Sequence, residues 1–98
     1  MEGLRFEWDR QKESQNLRKH GVSFEEAATV FLDEHALLIA DPEHSEDEDR
    51  FILLGLSTSL KLLVVVHCYR ESDEVVRLIT ARRASRPERR QYDQRWKR

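Results

Sequence analysis

The feature that most restricts what this chain can fold into is a pair of β-branched-rich runs, LLVVVHCYR from residue 62 and VVRLITARR ending at residue 83. Valine and isoleucine at that density favour strands. The polar break between the runs, Glu71, Ser72, Asp73 and Glu74, lets one turn back on the other, so the stretch predicts an antiparallel hairpin. Side chains alternate across a strand, which puts Leu62, Val64, Val66 and Cys68 on one face and Leu63, Val65, His67 and Tyr69 on the other. The first set reads as an unbroken core face. The second begins apolar but ends in a histidine and a tyrosine, and the return strand brings Arg77, Arg82 and Arg83 into the same neighbourhood, so chemistry is expected there. Register decides the grouping. If the odd-numbered residues of both strands share a face, His67 and Tyr69 sit with Arg77 and Arg83, and Val76, Leu78 and Thr80 complete the core. A slip of one residue puts Arg82 and Thr80 there instead, and the sequence leaves both open.

Around this hairpin there is room for one small domain over residues 1–98. Cys68 is the one cysteine, so no disulfide framework exists and a reducing compartment, the cytoplasm, is expected. No apolar run approaches the roughly 20 residues of a membrane span, and nothing reads as a signal peptide. A membrane partner is therefore not expected.

The remaining elements follow from local chemistry. Leu4 to Trp8 alternates apolar and polar, which predicts a short strand with Phe6 and Trp8 inward. Asp9 can accept from the free donors of a first helical turn, and Gly21 can take the left-handed position that ends a helix, so a helix is expected over 10–20. Val22 and the S-x-x-E box Ser23 to Glu26 start a second helix over 24–32, with Phe24, Ala27, Ala28, Phe31 and Leu32 on its packing face. Strands are expected over 36–40 and 50–56, the second with a bulge at Gly55, before Ser57, Thr58 and Ser59 lead into the hairpin. Another S-x-x-E box, Ser85 to Glu88 with Pro87 inside the first turn, opens a last helix to about residue 96, on which Tyr92 and Trp96 share a face. Four consecutive strands with short connections favour an antiparallel meander.

Charge is distributed unevenly. Residues 23–50 carry ten acids and one arginine, whereas 82–98 carry eight basic residues and two acids. A basic carboxyl-terminal segment beside a cationic strand can meet a polyanion. The acidic run 43–49 with His44 lacks the order of a calcium loop and reads as a solvated connection, so neither a metal nor a cofactor is expected.

The segments FEWD (6–9), NLRKHGVSFEEA (16–27), VFLD (30–33), HSEDEDRF (44–51) and ITARRASRPERRQY (79–92) occur in the order found in the BrnT family of type II toxins, which this chain resembles over nearly its whole length. The resemblance implies an α+β, RelE-like fold: a short N-terminal strand, two helices, an antiparallel sheet of about four strands and a C-terminal helix. It also implies a metal-independent endoribonuclease that cuts RNA and inhibits translation. A BrnA-like antitoxin would neutralise it, in a higher toxin-antitoxin oligomer that meets operator DNA only through the antitoxin.

Metal-free RNA cleavage needs a base for the 2'-hydroxyl, an acid for the leaving 5'-oxygen and cations for the charge on the phosphorane. Histidine suits the first two tasks and arginine the third. The expected catalytic set is therefore His67, Tyr69, Arg77, Arg82 and Arg83. Each also has a plainer reading: packing for His67 and Tyr69, and pairing with Glu7, Glu48 or Glu88 for the arginines. Lys12, Lys19 and His20 on the first helix and Arg86, Arg89 and Arg90 on the last are the expected RNA-binding residues, against capping for His20 and ordinary solvated faces for the rest. Two rival functions remain on the sequence: a non-catalytic nucleic-acid or protein binding module acting through the basic C-terminal helix, and a folding partner of another small protein.

Overall fold

The computed structural model describes residues 4–40, 50–70 and 73–96, the last by its backbone. The acidic run with His44 and Glu48, and the Trp96 side chain expected on the same helix face as Tyr92, lie outside the described residues. In chain order the elements are β1 (Arg5–Glu7), α1 (Arg10–His20), α2 (Phe24–Thr29) running into a 3-10 turn (Val30–Leu32), β2 (Leu37–Ala40), β3 (Arg50–Leu56), β4 (Leu62–Arg70), β5 (Val75–Arg83) and α3 (Arg86–Trp96).

The helix ends follow the capping chemistry with one exception. Asp9 Oδ1 accepts from the backbone N–H of Gln11 and Lys12 at 2.7 and 3.1 Å, and Gly21 closes α1 at φ 70°. At α3 the box is reciprocal: Ser85 N–H donates to Glu88 Oε1 at 2.8 Å and Glu88 N–H to Ser85 Oγ at 3.4 Å. At α2 only half of it forms. Ser23 Oγ accepts from Glu26 N–H at 3.0 Å, but the Glu26 carboxylate accepts from the hydroxyls of Ser57 and Ser59 instead, pinning the β3–β4 turn onto the helix.

Among the described residues the sheet has five strands in the order β1-β5-β4-β3-β2. Strands β2 to β5 form the antiparallel meander, but β1 joins β5 in parallel, with Phe6 opposite Val76. The expected antiparallel sheet of about four strands is thus corrected to a mixed one of five. A three-residue strand carries too little pattern to announce its partner, and pairing it with β5 lets Phe6 bury against Phe31 at a centroid distance of 5.2 Å.

The expected core face is corrected as well. The larger core lies on the Leu63 and Val65 face, where Leu53, Val76, Leu78 and Ala81 meet Val22, Phe24, Ala27 and Val30 of the α2 region. The Leu62 and Val64 face holds a smaller cluster with Leu54, closed by Tyr92 of α3. The Tyr92 hydroxyl donates to Asp33 Oδ2 at 2.7 Å, and the same oxygen accepts from Leu56 N–H at 2.8 Å. Burial works against ionisation here, yet these bonds and the one from His35 N–H hold the Asp33 carboxyl below its ordinary range.

Gly55 stands opposite Leu63 in unbroken register, so the bulge expected there is absent. Its lack of a side chain serves a close approach instead: a Cβ would lie 2.8 Å from Ala36 Cβ, 2.9 Å from Val30 Cγ1 and 3.0 Å from Asp33 Oδ2. Gly55→Ala is therefore expected to destabilise the protein by about 1–3 kcal/mol, read as a lower urea midpoint.

Candidate functional site

The bulge that does exist decides where the charged side chains go. Val66 pairs with Thr80 and His67 with Leu78, so Ile79 is an extra residue on β5 and the alternation of that strand shifts at that point. Directly opposed residues of an antiparallel pair share a face. On one side of the bulge Val76 and Leu78 therefore share the face of Tyr69 and His67, while Arg77 lies across from Cys68. On the other side Arg83 lies with Leu63, while Thr80 and Arg82 join Arg77 on the opposite face. Neither of the two uniform registers holds. The expected grouping of His67, Tyr69, Arg77, Arg82 and Arg83 is divided between two faces because the strand changes parity partway along.

His67 lies in the core at 0% exposure, which corrects its expected place on an open catalytic face. Phe31 meets its ring edge-on at 4.8 Å, Tyr69 at 5.2 Å, and Phe51 lies at 6.2 Å. Nδ1 sits 3.2 Å from the Val65 carbonyl and so carries the proton, leaving Nε2 to accept from the Tyr69 hydroxyl at 3.4 Å. Burial lowers the imidazole pKa, against the Val65 bond, and burial raises that of the half-buried Tyr69 phenol. A ring that resists protonation only when folded makes acid destabilising. As pH falls below 6.5 the unfolded chain binds the proton first, and stability drops until the folded ring protonates too. Urea midpoints at pH 7.5 and 5 are expected to fall further apart in the wild type than in His67→Leu; equal pH dependence in the two would refute this.

The arginines are mostly engaged. Arg77 Nη1 donates to Glu7 Oε2 at 2.6 Å, with Arg70 at 3.7 Å from the same oxygen. Arg82 holds Glu88 in a two-pronged contact, both bonds 2.8 Å. That contact, together with the Ser85 bonds and despite burial, lowers the Glu88 carboxyl to about 2. Arg83 is exposed and close enough to help lower the Glu26 pKa, an effect led by the Ser59 bond.

What the structure does bring together is the expected RNA-binding set, in two places. Arg86, Arg89 and Arg90 line a depression of about 340 Å³ on α3 together with Asp93. Lys12, Lys19 and His20 line a cleft of about 240 Å³ between α1 and β5, completed by Gln15, Asn16, Ile79 and Thr80. Helical spacing explains the convergence, because positions 12, 16, 19 and 20 form one stripe. The bulge explains the floor, since Ile79 and Thr80 are the residues at which β5 departs from regular pairing. Two lysines, a histidine, a hydroxyl and no carboxylate make this lining suited to an anion with hydrogen-bonding oxygens.

Sequence reasoning missed Asn16, the buried polar residue of this cleft at 6% exposure. Its only signal was an asparagine, a weak helix former, in the interior of an expected helix. Among the described residues no group of three or more His, Cys, Asp or Glu side chains is placed to hold a metal ion, and no helix is long and apolar enough to cross a membrane.

Compared with known proteins, the chain matches over residues 8–88 the family described as "Ribonuclease toxin, BrnT, of type II toxin-antitoxin system". Among solved structures it is similar to the Brucella abortus ribonuclease toxin BrnT, with a TM-score of 0.64 and 22% identity over 85% of this chain and 99% of that one. At that identity the likeness speaks for the fold. No curated protein matches the chain.

Proposed function

Because the chain belongs to the BrnT family of ribonuclease toxins of type II toxin-antitoxin systems, with an antitoxin as its implied partner, we propose that it cuts RNA in the cleft between α1 and β5. The observation that carries this reading is the convergence of Lys12, Lys19, His20 and Thr80 on one cleft. The backbone of a single RNA strand lies along it, with phosphate oxygens met by the two ammonium groups and the Thr80 hydroxyl. Arg86, Arg89 and Arg90 extend the cationic surface on α3, and Arg77 and Arg82, on the face of β5 that Thr80 shares, join it by exchanging Glu7 and Glu88 for phosphate.

In this reading the 2'-hydroxyl attacks the adjacent phosphorus, the 5'-oxygen leaves, and a 2',3'-cyclic phosphate and a 5'-hydroxyl result. The imidazole of His20 can take the proton of the first oxygen or supply one to the second, and the lysines stabilise the charge that builds on the phosphorane. Arg83 adds to the field, and His67 with Tyr69 supports β4 from within the core. No step needs a metal ion. Inhibition of translation, a BrnA-like antitoxin, assembly into a higher complex and operator binding through the antitoxin belong to the same reading.

The test is incubation of the purified chain with RNA in EDTA, with the ends of the products identified. Cyclic phosphate and 5'-hydroxyl ends support the proposal, and RNA left intact at high protein concentration refutes it. A second reading rests on the α3 depression: a module that binds nucleic acid through Arg86, Arg89 and Arg90 would show salt-dependent binding with no product.

A further inference from the structure

β1 covers the outer edge of β5 only from Val75 to Arg77, after which the chain turns away into α1. Further along, at Ala81, the edge is closed by a side chain. Asn16 Nδ2 donates to the Ala81 carbonyl at 2.8 Å, and Ala81 N–H donates to Asn16 Oδ1 at 3.1 Å, so the amide pairs with the strand as a neighbouring backbone would. The same Nδ2 donates to the Val22 carbonyl at 3.0 Å, tying in the α1–α2 turn. The cleft is therefore the stretch of β5 edge left between β1 and Asn16, floored by Ile79 and Thr80 at the bulge.

Asn16 also stands at the centre of the cationic stripe. Lys12 is four residues before it, Lys19 three after and His20 four after, each one helical turn away. Three bonds from one buried amide thus fix the rotation and the distance of α1 against β5, and with them the position of all three cationic side chains relative to Thr80. We infer that Asn16 is the positioning residue of the proposed ribonuclease site: it acts on RNA only through Lys12, Lys19 and His20, by holding them at the β5 bulge. This rests on the cleft being the site of cleavage. Displacements of about 1 Å at a reacting group can lower a rate 10²-fold, whereas attraction of a polyanion to lysines falls only gently with distance.

The test compares the wild type with Asn16→Ala and Asn16→Asp by RNA cleavage kinetics, with the folded fraction measured by urea melts. Val30→Ala serves as a control, since it removes core volume away from the cleft. The expected result is that Asn16→Ala, per folded molecule, loses about 100-fold in kcat with KM within threefold of the wild type, while Val30→Ala is less stable but keeps its kcat. If Asn16→Ala fails to fold, Asn16→Asp decides in its place, because it keeps an acceptor for Ala81 N–H while losing both donated bonds; a loss of more than about tenfold in kcat is expected. Wild-type kcat in whichever variant folds, or an equal loss in Val30→Ala, overturns the inference while leaving the ribonuclease reading intact. A wild type that does not cut RNA overturns that reading first, and the role of Asn16 with it.

Discussion

RNA cleavage is expected to fall by about 10³-fold or more when Lys12, Lys19 and His20 are all replaced by alanine, with little change in stability. Removing one preorganised group that meets developing charge commonly lowers a rate 10²–10³-fold, and the triple variant removes both ammonium groups and the imidazole from one cleft. The fold should survive because Lys12 and Lys19 are exposed and alanine is the best helix former. The expected loss is a few tenths of a kcal/mol for each cation removed from the C-terminal end of α1. The measurement is a cleavage time course beside a urea melt, together with growth after induced expression. Growth arrest by the wild type and not by the triple variant is the expected pair. If the soluble triple variant cuts RNA as fast as the wild type, the chemistry lies elsewhere, and Arg77, Arg82 and Arg83 become the residues to replace next.

Phe24→Ala is expected to destabilise the protein by about 3–5 kcal/mol, the usual range for emptying a buried phenylalanine site. Phe24 is 0% exposed, is the first residue of α2, and meets Trp8 edge-on at 5.9 Å between ring centroids. Its ring fills the space where α2, the segment after β1 and the sheet meet, and the backbone around a capped helix start cannot collapse far into the void. Against a total stability of about 5–15 kcal/mol for a domain, a loss of that size should lower the melting temperature by roughly 12–40 °C, and at the low end of that stability range it leaves part of the variant unfolded at 25 °C. A melting point within a few degrees of the wild type would show that the cavity refills. Phe24→Leu should lose far less, since most of the volume remains.

Much of the scaffold was legible because local chemistry specifies it. Asp9, Gly21, Ser23 and the Ser85–Glu88 box place the helix ends, and the β-branched runs place the central hairpin. What could not be read is what depends on nonlocal pairing. β1 is three residues long, and nothing in Arg5–Glu7 says that its neighbour is β5 or that they run in parallel. Both faces of the hairpin are apolar because α2 covers one and α3 the other, so alternation alone cannot rank them. The bulge at Ile79 has no glycine or proline to mark it, and it sends Arg77 and Arg83 to opposite faces although both are odd-numbered. The RNA-binding expectation met a clearer geometry than the catalytic one. Lys12, Lys19 and His20 lie on one helix, where spacing alone sets their common face, whereas the hairpin set depended on a register that no residue announces.

The parallel seam between β1 and β5 also has a consequence in time. Arg5 is opposite Val75, and Asn16 closes on Ala81, so each of these residues finds its permanent neighbour only some 65–70 positions further along the chain. Joining segments that far apart is slow for entropic reasons. During synthesis α1 therefore has no β5 to lean on until Ala81 has been made, and until then the cleft does not exist. A growing chain on the ribosome, surrounded by RNA, carries the lysines and the histidine of the cleft but not their arrangement.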